Sequence, residues 1–103
     1  MKMSYHTINE RIDRLNFIVD TVGFGEERAR FMDKSDKCYQ ILTTTGVVLV
    51  VSLDEQTLIT AFIAHENRIY SLYKNCHLTV PNDMKKIAHN NMRYWKIQNN
   101  FDR

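Results

Sequence analysis

The chain has 103 residues, of which 44% are hydrophobic and 25% charged, and its formal net charge is +2. That length suits one domain with a single core, and the balance is that of a globular protein rather than a disordered or fibrous one. The charge is too slight for a surface that grips phosphate everywhere, so any nucleic-acid contact requires local clustering of cations.

The first residues, MKMSYHTINERIDR, hold no apolar run suited to a signal peptide, and no later segment has transmembrane length. A cytoplasmic protein with no membrane contact is the expectation. Cys38 and Cys76 are expected as reduced, half-buried thiols. No C-x-x-C spacing occurs, so a structural zinc site is not expected; no other metal and no cofactor is expected either.

Thr7 and Glu10 form a T-x-x-E capping box, with Ser4 as a competing start. Ile8, Ile12, Leu15, Ile18 or Val19, and Val22 then recur at helical spacing, which predicts an amphipathic first helix ending near Gly23-Phe24-Gly25. Glu26, Glu27, Ala29, Arg30 and Phe31 predict a short second helix, its acids near the positive end. The charged linker DKSDK follows.

Three strands come next, CYQILT, VVLVVSL and TLITAFI, divided by TTTG and DEQ. The middle strand is apolar at nearly every position, so both of its faces must be covered. Short loops predict antiparallel neighbours. In the third strand Thr60 is expected to share a face with Leu58 and Phe62. Residues 65–76 fit a helix with the stripe Ile69, Leu72, Tyr73 and Cys76, or a fourth strand, RIYSLYK; the helix is preferred. After Pro81, Asn82 or Asp83 is expected to cap a last helix. Its apolar side is Met84, Ile87, Ala88, Met92 and Trp95, while Lys86, His89, Arg93 and Lys96 share another side. The fold class is therefore α+β: a helical part over 1–34, an antiparallel meander of three to four strands over 37–64, and a C-terminal part over 65–98 ending in an amphipathic basic helix, all in one domain.

An N-terminal helix bearing His6, Arg11 and Arg14, followed by a curved sheet whose LITAF strand carries Thr60, resembles the barnase–RelE-like group of small metal-independent ribonucleases, many of them toxins. The resemblance covers residues 4–64 by order and spacing of elements. It departs where that group often has Tyr and this chain has Phe62, and it assigns nothing to the basic last helix. It implies RNA as substrate, a neutralising protein as partner, and attack of a 2′-hydroxyl on the phosphodiester. Such cleavage needs a base, a cation for the phosphorane and an acid for the leaving oxygen. His6 is the first candidate base. Glu10 and Arg14 follow it at successive four-residue steps, so Glu10 can orient the ring and pair with Arg14, while Arg11 lies about 100° further round. Thr60 offers a hydroxyl to a phosphate oxygen, and His65 is a second acid or base.

Each of these residues also has a structural reading: surface histidines, an exposed ion pair, a β-branched strand residue. The alternative function is a non-catalytic binding protein, of the kind mobile elements carry, that docks on nucleic acid or on a target protein through Lys86, His89, Arg93 and Lys96. Self-association through a sheet edge, or through Tyr70, Leu72 and Tyr73, is a further expectation.

Overall fold

The computed structural model describes the backbone of residues 5–100 and the side chains of residues 12–100. The chain is α+β. Helix α1 (Tyr5–Thr21) precedes strands β1 (Glu27–Met32), β2 (Cys38–Thr43), β3 (Val47–Ser52) and β4 (Leu58–Ile63), and helices α2 (Glu66–Asn75) and α3 (Asn82–Asn99) follow. The strands lie in the order β1-β2-β3-β4, each antiparallel to the next.

The apolar β3 has both faces covered, as its composition demands. Val48 and Val50 pack with Leu42, Phe62, Ile69, Leu72 and Met84 beneath α2 and α3. Val47 and Leu49 pack with Ala61, Ile63 and Ile18 beneath α1. The molecule is thus three layers with the sheet in the middle. α1 ends where expected: the Val22 and Gly23 amides both close on the Ile18 carbonyl, and Gly23 takes φ +72, which only a residue without Cβ adopts cheaply.

Segment 27–32 is a strand, not the short helix its acidic start suggests. An isolated helix of that length is marginal, whereas edge pairing with β2 satisfies the backbone directly. Ala29 and Phe31 lie opposite Leu42 and Gln40 and turn inward. A bulge at Arg28 inserts one residue, so Glu27 and Arg30 face partners Thr43 and Ile41 on the same side of the sheet. They bond there at 2.7 Å, and Arg30 also meets Glu55 and the Tyr39 ring.

A second bulge takes Leu58 off the face that Thr60 shares with Phe62. Val50 is paired with Thr60 but the adjacent Val51 with Leu58, so Ile59 is the extra residue and Leu58 and Thr60 belong to opposite faces. Residues 66–75 are helical, as preferred. His65 caps them in the place usual for Ser or Asp, its Nδ1 accepting from the Asn67 amide at 3.0 Å. At α3, neither Asn82 nor Asp83 caps. Pro81 occupies that position without a side-chain bond, and Asp83 instead takes both Nη atoms of Arg28 at 3.0 and 3.2 Å.

The C-terminal half of α3 reaches past β4 towards α1, with Tyr94 edge-on to Phe17 at 6.5 Å. Gln98, 1% exposed, donates from Nε2 to the Ile63 carbonyl at 3.0 Å and accepts the Ile63 amide at Oε1. Leu72 and Tyr73 are core residues and only Tyr70 is exposed, so the expected surface of Tyr70, Leu72 and Tyr73 does not exist. Among the described residues, no helix is long and apolar enough to cross a membrane.

Candidate functional site

Arg14 and Thr60 meet. α1 crosses beside β4, anchored by Ile18 one turn after Arg14, and Arg14 Nη2 donates to Thr60 Oγ1 at 2.6 Å in a half-buried setting. A charge-assisted bond of that length fixes the guanidinium against the strand. His6 and Arg11 lie on α1, as does Glu10, at positions whose side chains fall outside the described residues. The expected constellation is therefore described at a cation and a hydroxyl.

His65 does not join them. Three strand residues, about 10 Å at roughly 3.3 Å each, separate Thr60 from the end of β4, and His65 lies beyond that end. Its Nδ1 lone pair is taken by the start of α2, and its ring stands edge-on to Trp95 at 5.2 Å. The role the geometry gives His65 is to begin one helix and brace the other. Trp95 and Tyr94 are likewise packed against His65 and Phe17 rather than held out as stacking platforms.

Lys86, His89, Arg93 and Lys96 are all exposed along one side of α3, while Met84, Ala88, Asn91 and Gln98 are buried on the other. Lys86 to Lys96 covers about 15 Å at roughly 1.5 Å per residue. From Met84 to Asn99 the helix carries no Asp or Glu. The acid nearest its start, Asp83, is engaged by Arg28. His89 Nδ1 lies 3.5 Å from Glu66 Oε2, and the Arg93 guanidinium sits 4.8 Å over the Tyr94 ring, which holds that cation at the surface. This face can take phosphate or carboxylate oxygens in a row.

One chain of polar side chains escapes the sequence reading. Arg68 Nη1 donates to Gln40 Oε1 at 3.1 Å, Gln40 Nε2 donates to Asp33 Oδ1 at 2.8 Å, and Asp33 Oδ2 accepts from the Ser35 hydroxyl and amide at 2.7 and 3.0 Å. Those bonds, Ser35 first, hold the Asp33 carboxyl below the ordinary carboxylate range. The signal available was Gln40 itself, a polar residue inside the apolar strand CYQILT, which must find partners once buried. Among the described residues no group of His, Cys, Asp and Glu is placed to hold a metal ion. No protein-family model, curated protein or solved structure matches the chain, so the function of these sites is argued from their own residues.

Proposed function

We propose that this protein binds the phosphate backbone of RNA through the exposed cationic side of α3. The observation that carries this reading is the acid-free run from Met84 to Asn99, with Lys86, Arg93 and Lys96 presented together and the opposite side locked into the core. Cations on a rigid helix meet phosphates without first being ordered, and each contact releases condensed counterions. Binding of this kind positions a strand without reading its sequence.

The test is fluorescence anisotropy with a labelled single-stranded RNA over a salt series. Three phosphate contacts predict a slope of log K against log salt near −2, from roughly −0.7 per contact on a single strand. The triple variant Lys86→Glu, Arg93→Glu, Lys96→Glu should lose both binding and slope. Equal binding by wild type and triple variant removes the proposal. Tight binding to an acidic protein surface but not to RNA would move the partner to a target protein.

A second reading, metal-independent RNA cleavage, is favoured by the 2.6 Å contact between Arg14 and Thr60. In that reaction His6 takes the proton of the 2′-hydroxyl, the 2′-oxygen bonds to phosphorus as the bond from phosphorus to the 5′-oxygen breaks, and the departing 5′-oxygen takes a proton from solvent water. Arg14 would offset the charge on the phosphorane. His65 has no assigned part in this reading, since its Nδ1 caps α2 and its ring packs on Trp95. Total RNA integrity in cells expressing wild type or His6→Ala separates the two readings: cleavage lost in the variant supports the nuclease, and intact RNA in both leaves binding alone.

A further inference from the structure

The polar chain from Arg68 to Asp33 borders a cavity of about 500 Å³ between α2 and the turn joining β1 to β2. Its floor is apolar, made by Phe31 and Leu72, both core residues. Asn67, Ser71 and Asn75 follow one another at four-residue steps along α2 and line one wall. None of the lining belongs to α3, so a ligand here is independent of any RNA on that helix.

Arg68 is held ready. Its guanidinium lies 5.2 Å from the Phe62 ring and donates to Gln40, which is itself only 7% exposed and braced by Asp33. A guanidinium has five N–H donors, and the bond to Gln40 uses one of them. Asp33, although it also borders the cavity, accepts bonds at both oxygens from Ser35 and Gln40, so its charge is turned to partners inside the protein. Arg68 and Lys34 leave the opening with an excess of positive charge. A fixed cation at the rim, neutral donors along one wall and an aromatic floor match the general build of small-molecule sites, which run from about 300 to 1,000 Å³.

We propose that this cavity binds a small organic anion, its carboxylate or phosphate on Arg68 and its apolar body on Phe31 and Leu72. The oxygens take the guanidinium fork in bidentate fashion, and Asn67 and Asn75 fix the orientation of the body. Because Arg68 is stacked and bonded before the ligand arrives, little side-chain freedom is lost on binding.

The experiment titrates phenyl phosphate, benzoate and benzyl alcohol into isotopically labelled protein and follows the amide resonances of Asn67, Ser71 and Asn75 together with Arg68 Nε–H. The anions should give saturable shifts there at concentrations of about 1 mM or below. Comparison of phosphate with carboxylate then shows which head group the fork prefers. Arg68→Gln should weaken binding about tenfold or more, or ~1.4 kcal/mol, and Ser71→Leu, an exposed position that needs no core change, should block it by filling the opening. No shifts up to about 10 mM, an equal response to benzyl alcohol, or undiminished binding by Arg68→Gln would each overturn the assignment.

Discussion

Gln98 and Ile63 stand in the relation of two paired strands, although one partner is a side chain. The amide of Gln98 gives a donor to the Ile63 carbonyl and an acceptor to its N–H, so the last residue of the outer strand has a complete set of bonds. Sheet edges that lack such partners invite pairing with other chains.

Removing that amide should therefore cost more than its apolar carbon. Gln98→Leu keeps the bulk and leaves two buried backbone groups unpaired, an expected loss of about 1–3 kcal/mol. Urea unfolding midpoints report the loss, and hydrogen exchange at Ile63 reports its place. An unchanged midpoint with full protection at Ile63 would show the contact to be idle.

Gly46 closes the turn between β2 and β3 with φ +83, and a Cβ there would lie 2.6 Å from Asn91 Nδ2. Asn91 in turn donates to the Thr45 carbonyl at 2.8 Å, tying α3 to the turn. Gly46→Ala should destabilise by about 1–3 kcal/mol through backbone strain and collision together. Adding Asn91→Ala relieves the collision but not the strain, so the double variant should lose less than the two single losses summed. A strictly additive cycle would assign the whole cost elsewhere.

Asp33 has a lowered carboxyl pKa because Ser35 and Gln40 bond to its charged form. A group whose folded value lies below its unfolded one stabilises the fold above the ordinary value of 3.8 and loses that contribution as pH falls through the lowered value. Asp33→Asn should lower the thermal midpoint at neutral pH and flatten its decline below about pH 4. Parallel acid limbs in the two proteins would show that this carboxyl is not among the groups driving acid unfolding.

His65 separates structure from chemistry. His65→Ala removes a helix cap, an expected loss of about 0.5–2 kcal/mol, whereas His65→Ser restores an oxygen acceptor and should recover most of it. Thermal unfolding of the pair checks the cap. A serine variant as stable as wild type that nevertheless loses an RNA-dependent activity would return His65 to the site.

Much of the architecture was legible where residues repeat. The run VVLVVS declares a strand covered on both sides, and Ile69, Leu72 and Tyr73 mark the buried side of α2. The cationic side of α3 follows from the spacing of Lys86, His89, Arg93 and Lys96. β1 was not legible, because only Ala29 and Phe31 point inward and the bulge at Arg28 breaks the alternation just before them. The same kind of interruption at Ile59 hid the face of Leu58. Arg14 and Thr60 were brought together as candidates only by the resemblance, and the bonds of Gln98 and Arg68 had no forerunner in the sequence. Each joins residues far apart in the chain, by 35 positions for Gln98 and Ile63 and by 28 for Arg68 and Gln40, and no local pattern announces a partner at that range.

The order β1-β2-β3-β4 has a kinetic consequence. Every strand meets its neighbour through a brief connection, residues 33–37, 44–46 and 53–57, so the ribbon can zip up from adjacent pieces at small entropic cost of loop closure. α1 and the tail of α3 come from opposite ends of the chain and touch through Phe17 and Tyr94. Assembly should then run from the centre outwards, with substitutions at Phe17 or Tyr94 speeding unfolding while those in β2 and β3 slow folding.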